Sequence, residues 1–397
     1  NLYKTIGNSA TFAILLTKKG KMATQFDRRQ WLRTAGLAGA FSILGGANAL
    51  ASEQSTLRVI ANNAKAPKTP IRLSSNENPY GPSEKVREAM MKGFEDMCRY
   101  PFGLTRELTE LIAKKHGVPT DHVVLTAGST EGLKVAGLTY GLHGAEIVAA
   151  TPTFLALLDY AEQLGAYIHN VPLDENLVHD IDAMEKRMTS NTRLVFVCNP
   201  NNPTGTILSA SKMKSFCENL SKKTVVFADE AYFDYITEPN YPSMVELVKQ
   251  GLNVIVSRTF SKVYGMAGIR LGYLITRPDI AHRLQQSTMA NASVPAIYAA
   301  KAAMEDQEFY KFSLQKNAEC LNIMYKTLDE LKMPYIKSHA NFVFFNSGKE
   351  VSEMNKIMAE KGIMVGRPFP PLSKWLRVST GKVEEVEAFV KALKEVV

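Results

Sequence analysis

The chain has 397 residues and a formal net charge of +8, and 45% of its residues are hydrophobic. Residues 1–51 hold seven Lys or Arg and one Asp, so the remainder carries only about +2, which argues against a nucleic-acid partner. The four cysteines are isolated from one another and are not grouped with histidine. No disulfide framework and no metal site are therefore predicted, although a single bridge between two cysteines stays open.

The first 51 residues have the pattern of an export signal. The pair Arg28-Arg29 precedes a weakly apolar stretch at 34–50 that is rich in Gly and Ala and ends in small residues typical of a cleavage site. The stretch is shorter than a spanning helix of about 20 apolar residues, so no stable membrane span is expected. We predict a twin-arginine signal peptide, with the residues before Met22 as an extension, and an exported or periplasmic protein. The alternatives are an amphipathic N-terminal helix and, if the leader is not used, a cytoplasmic protein.

The residues after the leader predict an α/β fold in two domains. The turn around Pro79 and Pro82 indicates an extended N-terminal arm at 52–85. A large domain at 86–300 and a smaller α+β domain at 301–397 follow. Apolar runs separated by helix-period stretches predict a mostly parallel sheet covered by helices. These runs lie near residues 123–126, 146–150, 194–198, 225–229, 254–257 and 271–275.

Two polar segments follow directly on apolar runs. Residues 199–205 read Asn-Pro-Asn-Asn-Pro-Thr-Gly, and the run at 225–229 ends in Asp229, with Tyr232 three residues later. Open α/β sheets bind ligands at the carboxyl ends of their strands. A carboxylate there can keep a pyridine ring nitrogen protonated, which is what the chemistry of pyridoxal phosphate requires. The alternatives are a helix N-cap for Asp229 and a half-buried aromatic for Tyr232.

The segment at 257–270 places Lys262 between small hydroxyl residues and eight positions before Arg270. A lysine that forms a Schiff base must be neutral for part of its cycle, and desolvation and neighbouring cations lower its pKa accordingly. Thr259 and Ser261 can donate hydrogen bonds to phosphate oxygens, and Arg270 offers a charged fork. The alternative is a solvated turn. The pattern therefore indicates an amine that holds an aldehyde cofactor beside its phosphate.

These segments belong to an ordered set of motifs. In chain order, they are Asn-Glu-Asn-Pro-Tyr-Gly-Pro at 76–82, Tyr-Pro at 100–101, Ala-Gly-Ser-Thr-Glu-Gly at 127–132, Pro-Thr-Phe at 152–154, the loop at 199–205, Asp-Glu-Ala-Tyr at 229–232 and Arg-Thr-Phe-Ser-Lys at 258–262. The set resembles the fold-type I aminotransferases and, among them, the histidinol-phosphate aminotransferase branch. The resemblance runs from about Leu73 to the C-terminus.

The resemblance implies the type I fold of pyridoxal-phosphate transferases, with a seven-stranded sheet in its large domain, and a homodimer with shared active sites. Lys262 would bind the cofactor as a Schiff base and then move the substrate's α-proton. Arg377 would clamp the substrate α-carboxylate through bidentate geometry, beside Asn202. The resemblance also implies contacts to the cofactor ring: Asp229 with the pyridine nitrogen, Asn202 and Tyr232 with the phenolic oxygen, and Phe154 stacked on the ring. The implied contacts to the cofactor phosphate come from the backbone of Ser129 and Thr130, from the side chains of Thr259, Ser261 and Arg270, and from Tyr80 of the partner subunit.

One departure from the branch concerns the substrate. The branch typically reads Gly-Ile-x-Val-Arg, where the arginine helps bind the substrate phosphate, whereas this chain reads Gly-Ile-Met-Val-Gly-Arg at 362–367. A one-residue shift in an extended segment turns a side chain to the opposite face. The displaced Arg367 therefore need not reach that pocket, which weakens histidinol phosphate as the substrate. Arg367 is kept as a candidate substrate-binding residue. A contact with another side-chain anion and a surface charge are the two alternatives for Arg367.

The sequence thus predicts an aminotransferase that works in ping-pong order. It would move an amino group between an amino acid, or histidinol phosphate, and a 2-oxo acid such as 2-oxoglutarate. A decarboxylase or a carbon–sulfur lyase with the same cofactor is one alternative. A catalytically silent ligand-binding protein is another, and the presence of Lys262, Asp229 and Arg377 argues against it.

Overall fold

The computed structural model describes residues 69–397 of the chain. The predictions for the twin-arginine leader and for the first half of the arm at 52–85 fall outside the described residues. Within residues 69–397, no helix is both long and apolar enough to cross a membrane.

The strands form three sheets. In chain order they are β1 (Ile71–Arg72), β2 (Val123–Thr126), β3 (Glu146–Thr151), β4 (Tyr167–Pro172), β5 (Thr192–Cys198), β6 (Val225–Asp229), β7 (Val254–Thr259), β8 (Gly272–Ile275), β9 (Tyr335–Ile336), β10 (Phe342–Asn346), β11 (Ile363–Met364) and β12 (Trp375–Ser379). The largest sheet has seven strands in the order β2-β8-β7-β6-β5-β3-β4. Only β8 runs antiparallel to its neighbours, so the predicted mostly parallel sheet is confirmed.

Both faces of this sheet are covered. Along β5, Val195 and Val197 lie in one apolar cluster, whereas Leu194 and Phe196 lie in another, because successive side chains of a strand point to opposite faces. Full burial of such side chains stabilises the fold by roughly 1.5–3 kcal/mol each. This two-sided burial explains the uninterrupted apolar runs in the sequence.

The helices that cover the sheets begin and end at recognisable residues. α1 starts after the Ser83 cap, and α2 ends at Gly117, whose φ of 64° is the left-handed conformation that favours glycine at a helix C-terminus. The helices are α1 (Glu84–Lys92), α2 (Phe102–His116), α3 (Ser129–Gly141), α4 (Ala156–Gln163), α5 (Ile181–Lys186), α6 (Ala210–Leu220), α7 (Val245–Lys249), α8 (Pro278–Gln285), α9 (Val294–Glu305), α10 (Gln307–Glu330), α11 (Val351–Glu360) and α12 (Val383–Lys394). Short 3-10 helices lie at Gly93–Asp96, Thr120–His122, Phe233–Tyr235 and Ala267–Ile269.

A separate apolar cluster lies in the C-terminal part of the chain. It combines residues of β10, β12, α10, α11 and α12 with Leu73, so the arm residue next to β1 is built into it. β10 pairs antiparallel with β9 and β12, and β1 pairs parallel with β11. The predicted domain boundary after residue 300 falls inside α9, which is one continuous helix, and the division into two domains stays a prediction.

Candidate active site

A pocket of about 500 Å³ lies where the carboxyl ends of several parallel strands meet. The register of β5, β6 and β7 sets Cys198 beside Asp229 and Asp229 beside Ser257, so the segments that follow these strands emerge at one edge. Most of the predicted site residues line this pocket: Ser129, Thr130, Phe154, Asn202, Asp229, Tyr232, Ser261, Lys262, Arg270, Arg367 and Arg377. The structure therefore brings together residues that are up to 248 positions apart in the chain.

Lys262 reaches the pocket from the segment after β7. Its Nζ donates a hydrogen bond to the backbone carbonyl of Asn76, at 2.9 Å. Burial is the main cause that lowers the pKa of its amine to about 8, and the charge of the Arg377 guanidinium contributes in the same direction. The predicted cation Arg270 acts in the same direction but less strongly than Arg377. A substantial fraction of the amine is therefore neutral near physiological pH, as a nucleophilic lysine requires.

Asp229 ends β6 and is buried. Burial raises the pKa of its carboxyl to about 6, and the N–H of Ala231, 3.3 Å from Oδ1, acts in the opposite direction. Among residues 69–397, no Lys, Arg or His nitrogen lies within 4.0 Å of this carboxylate. A buried acid without a protein cation beside it suits a ligand that brings its own protonated nitrogen.

Tyr232 is buried beside Asp229, in the segment after β6. Its phenol oxygen accepts hydrogen bonds from the side-chain amides of Asn76, at 2.9 Å, and Asn202, at 3.4 Å. Burial raises the pKa of the phenol far above its ordinary value. Tyr232 is therefore neutral and keeps a proton that it can donate.

Arg377 lies on β12 and is buried. Its Nη1 donates to Oδ1 of Asn202, at 2.6 Å, and its Nη2 donates to the backbone carbonyl of Ser74, at 2.7 Å. Its Nε is buried and has no hydrogen-bond partner among the residues that the structure describes. Burial lowers the pKa of the guanidinium to about 10, so it is still charged at neutral pH. A charged group with an unsatisfied donor suits the binding of a carboxylate.

The N-terminus of α3 forms the end of the pocket where an anion fits. No side chain caps this helix, and Gly128 before it has a φ of 77°. This positive φ favours glycine, and a Cβ atom at Gly128 would also displace the guanidinium of Arg270 from its close approach. Backbone N–H groups at a helix start, the helix dipole and an arginine together favour a phosphate.

Two of the predicted site residues do not line the pocket. Thr259 is buried, and its hydroxyl accepts the N–H of Ser261 at 3.1 Å. Thr259 therefore helps to hold the backbone of Ser261, which lines the pocket. The hydroxyl of Tyr80 accepts the N–H of Val383 at 3.0 Å, and its ring contacts Phe312. Direct contacts of Thr259 and Tyr80 with a phosphate stay predictions.

Arg367 lines the same pocket as Lys262, so its displacement by one residue does not remove it from the site, and its contact with a substrate anion stays a prediction. The reason is that β11 ends at Met364, and the alternation of faces in a strand does not extend to residue 367. Gly366 donates its N–H to the Arg377 carbonyl at 2.9 Å and is packed so tightly that a Cβ atom would collide with that carbonyl. The guanidinium of Arg367 lies 4.3 Å from the centre of the Phe369 ring.

Sequence reasoning missed several residues of the pocket lining, and those of the arm are the most informative. Ser74, Asn76 and Glu77 line the pocket, although the sequence analysis used residues 76–82 only as a motif and for Tyr80. The sequence signal for Asn76 is an asparagine in a polar stretch. Asparagine is enriched in the left-handed backbone conformation, and Asn76 adopts it with a φ of 53°.

This fold and this pocket define the type I class of pyridoxal-phosphate enzymes. A profile described as "Aminotransferase class I and II" matches residues 68–393. The chain therefore belongs to this family, and it is a pyridoxal-phosphate-dependent aminotransferase.

Relatives and solved structures agree with this assignment. The chain is 36% identical to a histidinol-phosphate aminotransferase of Caldicellulosiruptor saccharolyticus, over 82% of this chain and 91% of the relative. It is 37% identical to one of Moorella thermoacetica, over 82% and 85%. A crystal structure from Erwinia carotovora atroseptica, provisionally named histidinol-phosphate aminotransferase, superposes with a TM-score of 0.80 at 31% identity, over 82% of this chain and 95% of that one. A histidinol-phosphate aminotransferase from Sinorhizobium meliloti in complex with pyridoxal phosphate shares the fold, with a TM-score of 0.78 at 24% identity, over 86% and 95%.

The residues in the pocket fit this cofactor. An unpaired buried carboxylate, a lysine of lowered pKa and a glycine-bounded helix start beside Arg270 match its ring nitrogen, its aldehyde and its phosphate. When bound, the cofactor supplies the electron sink that stabilises a carbanion.

The charges around Lys262 predict that two variants shift the pH midpoint of cofactor uptake in opposite directions. The rate at which the cofactor-free enzyme takes up pyridoxal phosphate should rise with pH through about 8, because the neutral amine reacts. Arg377→Gln removes a cation that lowers this pKa and should move the midpoint to higher pH. Glu77→Gln removes an anion that raises it and should move the midpoint to lower pH. Stopped-flow absorbance over a pH series measures both.

The control is Arg277→Gln, because Arg277 pairs with Asp279 and does not line the pocket. This variant should keep the midpoint of the native enzyme. Shifts of the same sign in Arg377→Gln and Glu77→Gln would contradict the electrostatic account.

Proposed function

We propose that Lys262 binds the cofactor and moves the proton of the substrate, and that Asp229 pairs with the pyridine nitrogen. The support is that both groups line one pocket and that the pKa of the amine is lowered to about 8. Burial raises the pKa of the carboxyl to about 6, which is below neutral pH, so Asp229 is mostly charged there. A neutral amine accepts a proton, and the buried carboxylate becomes fully charged when a protonated ring nitrogen lies beside it.

The remaining contacts follow from the positions of the lining residues. We propose that Tyr232 and Asn202 hydrogen-bond the phenolic oxygen of the cofactor and that Phe154 stacks on its ring. The N-terminus of α3 and Arg270 hold the phosphate. The supporting residues at this end are Ser129, Thr130 and Ser261.

We propose that the amino donor is histidinol phosphate and that the acceptor is 2-oxoglutarate. The observation that carries this proposal is the presence of two guanidinium groups, those of Arg367 and Arg377, in the same pocket as Lys262. In the donor half-reaction one guanidinium can pair with the phosphate of histidinol phosphate, which is its single anionic group. In the acceptor half-reaction both can pair with the two carboxylates of 2-oxoglutarate. Further support comes from the relatives, because those of 36% and 37% identity bear the name histidinol-phosphate aminotransferase.

A half-reaction assay with Arg367→Gln tests the donor. Mixed with histidinol phosphate, the native enzyme should convert its bound cofactor to the amine form and then aminate 2-oxoglutarate. Arg367→Gln should lower kcat/KM for histidinol phosphate by about ten- to hundredfold, as expected for the loss of a charge-assisted contact, but should leave histidinol without its phosphate nearly unaffected. Absorbance of the cofactor and the glutamate formed are the readouts.

Several outcomes would count against this donor. A native enzyme that responds only to ordinary amino acids would place the substrate outside the histidinol-phosphate class. Release of carbon dioxide from an amino acid, without amination of the 2-oxo acid, would indicate a decarboxylase instead. Equal losses for histidinol and histidinol phosphate would show that Arg367 does not contact the phosphate.

We propose that the enzyme is a homodimer that shares its active sites. The segment between α1 and α2 exposes a group of large apolar side chains: Met91, Phe94, Met97, Tyr100 and Phe102. Such a patch is typical of a surface that contacts another protein. The position of Tyr80 outside the pocket of its own chain is consistent with a role in a partner subunit.

Charge placed in this patch should separate the subunits. We expect Tyr100→Asp with Phe102→Asp to sediment as a monomer and to lose most of its activity, because a carboxylate cannot be buried unpaired in an apolar interface. Tyr167→Asp is the matched control, since Tyr167 is also an exposed aromatic but lies on the edge strand β4. A native enzyme that sediments as a monomer at micromolar concentration would refute the dimer.

We propose that the protein is exported by the twin-arginine route. The support is the order of residues at 27–51, where Arg28-Arg29 precedes a short apolar stretch and small residues. Replacement of both arginines by lysine should leave the full-length enzyme in the cytoplasm, whereas Arg33→Lys should not change its location. Cell fractionation with immunoblotting measures this. Native enzyme that stays uncleaved in the cytoplasm would disprove export.

A further inference from the structure

Asn76 lies at the centre of a buried hydrogen-bond network beside the pocket. Its backbone N–H donates to the Ser379 hydroxyl at 2.8 Å, and that hydroxyl lies 2.7 Å from Oδ1 of Asn76. Its Nδ2 donates to the Tyr232 phenol at 2.9 Å, and its carbonyl accepts a hydrogen bond from Nζ of Lys262, also at 2.9 Å. One residue of the arm therefore contacts β12, Lys262 and Tyr232.

This network sets the orientation of the Asn76 amide. The Ser379 hydroxyl accepts the backbone N–H of Asn76 and donates its own proton to the amide oxygen. If the amide were turned round, this hydroxyl would accept from two N–H groups, and its proton would have no acceptor among the hydrogen bonds of the described residues. With its oxygen on Ser379, the amide can present only its NH₂ group to Tyr232. Asn76 therefore acts as a donor to the phenol.

Asn202 is oriented in the same way by a different group. Its Oδ1 accepts a hydrogen bond from Nη1 of Arg377, and a guanidinium can only donate. Its NH₂ group is consequently the part that faces Tyr232, at 3.4 Å. The phenol oxygen thus lies between two amide donors.

The two amide donors restrict the direction in which the hydroxyl proton of Tyr232 can point. A phenol oxygen has one proton and accepts up to two hydrogen bonds, and both acceptor positions are occupied here. The proton must therefore point elsewhere. Because Tyr232 also lines the pocket, the direction that remains leads into it.

We propose that Asn76 is a positioning residue that holds Tyr232 as a hydrogen-bond donor toward the phenolic oxygen of the cofactor. This inference rests on the role of Tyr232 under the proposed function. The left-handed backbone at φ 53° limits the residues that fit at this position to those that tolerate it, such as Asn, Asp and Gly. Of these three residues, only asparagine has an amide that can donate a hydrogen bond to Tyr232.

The substitution Asn76→Asp tests the proposal in the cofactor-loaded enzyme. Aspartate has the same size and tolerates the same backbone, but its carboxylate only accepts hydrogen bonds, so Tyr232 should turn its proton toward residue 76. The ionised oxygen of the lysine-bound cofactor then loses a donor. The pKa of this chromophore, followed by absorbance against pH, should rise by about one unit.

A double variant separates the hydrogen bond from the added charge. In a Tyr232→Phe background there is no phenol proton to redirect, so Asn76→Asp should act only through its charge and shift the pKa less than it does alone. Equal shifts in the two backgrounds, or no shift in either, would overturn the role of Asn76. If Tyr232→Phe alone leaves the titration unchanged, the proposed role of Tyr232 fails, and this inference fails with it.

Ser379→Ala keeps the proposal testable if Asn76→Asp does not fold. This variant leaves residue 76 unchanged but removes the hydroxyl that orients its amide. The pKa of the chromophore should then rise in the same direction by a smaller amount, and an unchanged pKa would contradict the proposal. Asn76→Gly is a further comparison, because it keeps the carbonyl that accepts from Lys262 and removes only the amide.

Discussion

The guanidinium of Arg377 joins the parts of the chain that make this pocket. Its hydrogen bonds reach Asn202, in the loop after β5, and Ser74 in the arm, and its charge lowers the pKa of Lys262. The backbone carbonyl of the same residue accepts the N–H of Gly366, which places Arg367 at the pocket. Asn202 in turn donates to Tyr232, so the geometry of several groups depends on one buried cation.

The energetic balance at Arg377 explains why the pocket suits anions. Burial of an ion costs several kcal/mol even after the protein relaxes, whereas a hydrogen bond to a charged group contributes about 1.5–3 kcal/mol. The two hydrogen bonds of Arg377 do not remove the effect of burial, because its pKa is still lowered to about 10. A carboxylate that binds there meets a cation with an unsatisfied Nε, which favours it over a neutral group.

Much of the site could be predicted from the sequence because its residues follow buried strands directly. Asp229, Asn202 and Lys262 each come just after an apolar run, and parallel strands carry such residues to the same edge of the sheet. Ser129 follows β2 in the same way, whereas Arg270 precedes β8, which runs antiparallel and therefore begins at this edge. The local sequence around each strand end was therefore enough to predict these residues as part of the site.

The features that could not be predicted depend on contacts between distant residues. Asn76 contacts Lys262, Tyr232 and Ser379, which lie 186, 156 and 303 positions away. The orientation of Arg367 depends on where β11 ends, and no local pattern marks that residue. In both cases the residue that fixes the position comes from another part of the fold.

Borohydride reduction of the cofactor-loaded enzyme, followed by peptide mass spectrometry, tests whether Lys262 binds the cofactor, which is the central claim about this site. We expect the reduced cofactor on Lys262 and no labelled lysine in Lys262→Ala, whereas a label on another lysine of the native enzyme would contradict the account.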